Sequence, residues 1–170
     1  ADNEAGSRRL KRAFLNDQET EFVYMSECSD PENFYLTHVS NVEALKLEDD
    51  LKRWFETERY SSFHNPKVGD YVITSDCGVA WRGQVEKVEA VNVSDRRGEL
   101  VIQNKYTILL LDTGVIITVS ASDLMECPEE FLTRLPIQAI QCRLGQVLPS
   151  SSGTWSTQAG DRLFDMTRTE

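Results

Sequence analysis

The sequence predicts a mainly β protein with helices, organised around a small antiparallel barrel. Three observations carry that prediction. Four strand-like runs, "VGDYVITS", "AWRGQVEKVEAV", "LVIQNKYTILLL" and "VIITVSASDL", follow one another from Val68 at short spacing, joined by the turn-type connectors "DCG", "SDRRG" and "DTG". Two further strand-like runs, "TEFVYMSEC" and "NFYLTHV", precede them across the Ser-Asp-Pro connector "SDPE", which reads as a hairpin. Between hairpin and barrel, Leu47, Leu51, Trp54 and Phe55 recur at i, i+4, i+7 and i+8, the spacing of one helical face.

The remaining elements follow in order. The first twenty residues are polar and contain "SRRLKR", which reads as a solvated tail in preference to a nucleic-acid arm. Ser40 and Glu43 form an S-x-x-E capping box at the head of the helix, and Phe63 to Pro66 ends its pattern. After the barrel, "CPEEFLTRLP" places Pro128 at a first helical turn with Glu129 and Glu130 near the positive helix end. "IQAIQCRLGQVL" reads as a strand that rejoins the first hairpin. Trp155, Ala159, Leu163 and Met166 mark a closing helix, against which Gly160 counts.

Composition narrows the function classes. No apolar run approaches the roughly 20 residues of a membrane helix, and the start lacks a signal-peptide pattern, so the expected setting is intracellular. Cys28, Cys77, Cys127 and Cys142 are scattered without a CxxC pair and read as reduced thiols, with no metal site. The net charge is −10, from 28 acidic and 18 basic residues. That balance argues against phosphate backbones as the main ligand and favours a cationic partner such as an Arg- or Lys-rich peptide. His38 and His64 are the only histidines, and neither lies in a nucleophile, phosphate-loop or zinc motif. No catalytic residue, metal or cofactor is expected. The different-class rival is weak nucleic-acid binding by Phe22, Tyr24, Phe34 and Tyr35 of the hairpin, with basic residues only in "SRRLKR" and at Arg96–Arg97.

A family resemblance rests on specific segments: "VYMSECSDPENFYLTHV", "VGDYVI", "AWRGQVEKV", "LLLDTGV", and "LPIQAIQCRLGQVLP" followed by Trp155. Together they resemble the extended Tudor domain over roughly residues 20–168. The resemblance implies a Tudor (SH3-like) barrel inserted into an OB/staphylococcal-nuclease-like fold and joined to it by a linker helix. The implied organisation is a flexible tail over 1–19, a nuclease-like hairpin and linker helix over 20–62, the Tudor barrel over 63–127, and a return to the nuclease-like unit over 128–170.

By the same resemblance the domain is a non-enzymatic reader of arginine-rich N-terminal tails of Piwi-class Argonautes, working in the cytoplasm at a perinuclear germ granule (nuage), with other piRNA-pathway scaffold proteins as further partners and no membrane. Family members hold a dimethylated arginine in an aromatic cage. Here the cage positions fall on Ser75, Trp81, Leu110 and Thr113, with Val115 in place of the family's Asn. One aromatic remains of four. Each lost cation–π contact removes roughly 0.5–2 kcal/mol, so the expectation is a peptide groove that accepts unmethylated arginine through carboxylates. Asp76, Asp112 and Asp123 near the groove, and Glu43, Glu48 and Asp49 on the linker helix, are the candidate acids. Each reads equally as a solvated surface acid, or for Asp112 as a turn residue. The alternatives are a structural spacer, a methylarginine reader with a rebuilt cage, and a weak RNA binder.

Overall fold

The computed structural model describes residues 10–39, 41–58, 63–94, 96–150 and 153–168. The elements in chain order are β1 (Val23–Asp30), β2 (Asn33–His38), α1 (Val42–Glu58), β3 (Tyr71–Asp76), β4 (Val79–Ser94), β5 (Leu100–Leu110), β6 (Ile116–Ser120), β7 (Met125–Glu126), α2 (Glu129–Thr133), β8 (Ile140–Cys142) and α3 (Thr157–Thr167). They form a three-stranded sheet in the order β1-β2-β8 and a five-stranded sheet in the order β6-β5-β4-β3-β7, with every strand pair antiparallel.

The helix predicted between hairpin and barrel is α1. Leu47 and Leu51 are buried from its apolar stripe, with Trp54 and Phe55 packed beside them. Ser40 lies outside the described residues. The observed cap is Asn41, whose Oδ1 accepts the backbone N–H groups of Glu43 and Ala44 at 3.1 and 3.3 Å. Glu43 accepts from Lys46 Nζ at 2.8 Å.

Strand β3 is buried on both faces. Successive side chains point to opposite sides of a strand, and here Val72 enters one core with Val85, Tyr106, Ile108, Leu110 and Leu124, while Ile73 enters a second with Leu47, Leu51, Ala80, Cys127 and Phe131. The second core is where α1 and α2 pack on the barrel.

Three segments depart from the sequence reading. Residues 11–13, expected in a free tail, run parallel to the return segment: Ala13 N–H donates to the Ile137 carbonyl at 2.8 Å and Ile137 N–H to the Lys11 carbonyl at 2.9 Å. The return strand, expected over 137–148, pairs with β2 only at Ile140–Cys142. The amides ahead of it are engaged elsewhere, Gln138 N–H on the Asp112 carboxylate and Ala139 N–H on the Leu111 carbonyl. The last barrel run breaks after Ser120 into a short 3₁₀ turn, Ala121–Asp123.

Gly160 proves to be a packing requirement in a helix that forms. It is buried where α3 crosses β1, and a Cβ there would overlap the Ser29 carbonyl oxygen. All four cysteines are free. Burial pushes the Cys127 thiol up to about 12.

Candidate functional site

The two sheets meet at the Asp112-Thr113-Gly114 turn between β5 and β6. Ser26 Oγ of β1 donates to the Thr113 carbonyl at 2.7 Å, and Thr37 Oγ1 of β2 donates to Ser26 Oγ at 3.2 Å. Gly114 adopts φ +79°, a region that favours glycine. A Cβ there would overlap the Tyr35 ring, so the turn docks flat on an aromatic of β2.

Asp112 is fixed from the other side. Arg82 pairs with Ile73 across the sheet, which points its side chain toward α2. Its Nη1 donates to the carbonyls of Phe131 and Leu135, both at 2.8 Å, and its Nη2 to that of Pro136 at 3.1 Å. The same guanidinium clamps the Asp112 carboxylate, whose Oδ1 also accepts the Gln138 N–H at 3.1 Å. The sequence marks Asp112 as a groove acid for a peptide arginine; in the structure it is committed to an arginine of its own chain.

Above this junction lies a cleft of about 340 Å³. Tyr24, Thr37 and His38 of the hairpin form one wall, and Asn41, Ala44, Leu45, Leu47, Glu48 and Leu51 form the α1 wall. Ala80, Trp81, Asp112 and Thr113 come from the barrel, Leu135 and Gln138 from the return segment. The lining is chiefly apolar, with Trp81 and Tyr24 as its aromatics. Its two carboxylates are Asp112 and Glu48, and among the described residues Glu48 has no ion-pair partner. Asn41 links the α1 wall to the return segment, donating from Nδ2 to Gln138 Oε1 at 2.7 Å while it caps α1. A second cleft, of about 590 Å³, shares Tyr24 and Thr113 with the first and continues over Val115 to Phe164 and Arg168 of the α3 end.

A Tudor-domain family profile matches residues 15–146. This chain belongs to the Tudor-domain family. The domain superposes on the extended Tudor domain of BmPAPI with a TM-score of 0.71 at 26% identity, covering 85% of this chain and 75% of that one; the BmPAPI domain is also solved with sDMA. On the human TDRD1 extended Tudor domain, solved with a symmetrically dimethylated peptide, the TM-score is 0.75 at 21% identity over 96% of this chain and 76% of that one. On a single-substitution form of the Drosophila melanogaster Papi extended Tudor domain, solved with an unmethylated Piwi N-terminal peptide, it is 0.68 at 18% identity over 86% and 69%. The last two likenesses show the fold. No curated protein matches the sequence.

Within this extended Tudor fold the candidate residues divide. Trp81, Thr113, Asp112 and Glu48 share the first cleft, and Val115 lines the second. Leu110 does not reach either: it is 2% exposed and packs into the barrel core with Val72, Val85, Tyr106, Ile108 and Leu124. Ser75 and Asp76 sit at the end of β3 beside the turn to β4, Ser75 opposite the cleft residue Ala80, and neither is part of the cleft lining. The Asp123 carboxylate accepts the Ser120 N–H at 3.3 Å and holds the 3₁₀ turn. Glu43, kept below the usual carboxylate range by Lys46, and Asp49 lie on the exposed face of α1.

Sequence reasoning missed Tyr24, His38, Asn41 and Leu45 as cleft residues. The hairpin alternation could have flagged Tyr24, which stands two residues from Phe22 on the same side. Two of the aromatics weighed for nucleic acid are used up in packing: Phe34 is buried and Tyr35 supports Gly114.

Proposed function

We propose that this extended Tudor domain is a non-enzymatic peptide-binding module that recruits the N-terminal tail of a Piwi-class Argonaute through an arginine that need not be methylated. The carrying observation is Glu48, a carboxylate without an ion-pair partner among the described residues, lining the same apolar cleft as Trp81. A guanidinium entering there stacks on the indole and forms a charge-assisted hydrogen bond with the acid. Val115 in place of the family's Asn, and Thr113 in place of an aromatic, remove the features that read the methyl groups. Relatives solved with a Piwi tail or with dimethylarginine support the peptide class. Assembly with other piRNA-pathway scaffolds at a germ granule belongs to the same reading.

A second reading has one observation in its favour. Tyr24 lines the cleft together with Trp81, so two aromatics drawn from different sheets form a partial, rebuilt cage for dimethylarginine. Calorimetric titration of matched Argonaute-tail peptides, unmodified and symmetrically dimethylated, at two salt concentrations separates the two. Equal or tighter binding of the unmodified peptide, weakened by salt and weakened roughly tenfold by Glu48→Gln, supports the first. A clear preference for the methylated peptide, lost in Tyr24→Ala, supports the second. Absence of binding to either refutes both and leaves a structural spacer.

A further inference from the structure

Resting on that reading of the cleft, we infer that its mouth is a second, apolar subsite, which takes an aliphatic or aromatic side chain flanking the arginine in the same extended peptide. The cleft holds about 340 Å³, room for one long side chain and not for a run of residues. An extended peptide advances about 3.3 Å per residue with side chains alternating, so the neighbours of an inserted arginine lie across the mouth.

What they meet there is unusually apolar. Tyr24 and Thr37 line the cleft and face each other across β1 and β2. The ladder continues one step further, with the Val39 N–H donating to the Phe22 carbonyl at 2.9 Å. Strand alternation therefore puts Phe22 and Val39 on the cleft side of the sheet. From the opposite wall, Val42 and Leu45 stand one helical turn apart on α1. Phe22 is 80% exposed, and Val39, Val42 and Leu45 are each about half exposed. A contiguous exposed apolar patch rimmed by polar residues marks an interaction surface. This one is continuous with the cleft through Tyr24 and Leu45. Of the acids beside it on α1, Glu43 is already paired with Lys46, and Glu48, one turn past Leu45 in the cleft, is taken by the arginine. The patch itself therefore offers burial in place of charge, and the occupant it suits is an uncharged apolar side chain.

The test uses a short peptide with one arginine and one leucine two residues away, in both orders, with Leu→Ser and Arg→Ala versions. Each is titrated calorimetrically into the wild-type domain and into Phe22→Ser, Val42→Ser and Glu48→Gln at two salt concentrations. In the favoured order Leu→Ser weakens binding about tenfold, the yield of burying one such side chain. Phe22→Ser or Val42→Ser gives a similar loss, the peptide and protein changes do not add, and this part of the affinity is insensitive to salt. A Leu→Ser effect under twofold in both orders, with Glu48→Gln still costing affinity, overturns the subsite and leaves the arginine reading standing. Leucine-dependent binding untouched by both Arg→Ala and Glu48→Gln refutes the arginine reading. Binding of none of the peptides overturns both. Sedimentation showing self-association that Phe22→Ser abolishes, with peptide affinity unchanged, assigns the patch to a second copy of the chain and overturns the subsite.

Discussion

Arg82 donates from Nε and Nη2 to the two carboxylate oxygens of Asp112, at 2.9 and 2.6 Å, and its side chain is wholly buried. With its other N–H groups on the carbonyls of Phe131, Leu135 and Pro136, this arginine ties β4, the β5–β6 turn, α2 and the segment after it into one knot. Asp112→Ala strands a buried guanidinium and is expected to lower stability by about 3–5 kcal/mol in urea unfolding. Arg82→Met is expected to cost at least as much, since it also strands the carbonyls of Phe131, Leu135 and Pro136 that the guanidinium serves. A loss under about 1 kcal/mol for Asp112→Ala would show the pair to be incidental.

The Asp-Thr-Gly turn makes a second prediction. Gly114→Ala combines an unfavourable φ with an overlap on the Tyr35 ring, and a destabilisation of about 2–4 kcal/mol is expected. Adding Tyr35→Ala relieves the overlap but not the backbone strain. In that Tyr35→Ala background the cost of Gly114→Ala shrinks; unchanged costs in the two backgrounds would rule out the ring contact as the reason for glycine.

Gly160 gives a test in which the sign decides. Glycine to alanine inside a helix ordinarily stabilises by roughly 1 kcal/mol. Here the added Cβ runs into the Ser29 backbone, so Gly160→Ala is expected to lower the melting temperature and to speed proteolysis within α3. A rise in melting temperature would mean that α3 does not sit against β1.

Cys127 sets an alkaline dependence. Burial raises its thiol from 9.0 to about 12, with Arg82 lowering it and Asp112 raising it by less. The unfolded chain releases this proton near pH 9 while the folded chain retains it, so the stability contributed is complete below that pH and declines as pH rises toward 12. Between pH 8 and pH 10, wild type is expected to lose more stability in urea than Cys127→Ala. Equal losses would mean that the thiol titrates alike in both states.

Much of this fold is legible in the sequence because local periodicity and turn chemistry agree with the tertiary structure. The Leu47, Leu51, Trp54 and Phe55 stripe buries as a unit, and the connectors "DCG" and "DTG" supply Gly78 and Gly114 at positive φ. The return strand is shorter than its pattern suggests because its amides serve cross-links to Asp112 and Leu111 that no periodicity encodes. Helix propensity counts against Gly160, whereas a neighbouring strand decides its identity.

Site residues are harder to read. The cleft draws on four parts of the chain distant in sequence, so residue type alone does not tell that Glu48 faces inward while Asp49, its neighbour, faces solvent. Nor does it show that Asp112 is claimed by Arg82.

The double-sided burial of β3 has a further consequence. A strand that contributes Val72 to one core and Ile73 to another leaves no seam along which inserted barrel and host fold can part. Excising the β3–β7 segment, Tyr71 to Glu126, would lay bare Ile73, Ala80 and the Arg82 guanidinium together, so the fragment inherits the barrel's strands without its cohesion. The two units are thereby coupled into one cooperative melt, and scanning calorimetry of the intact chain is expected to record a single transition whose calorimetric and van't Hoff enthalpies agree.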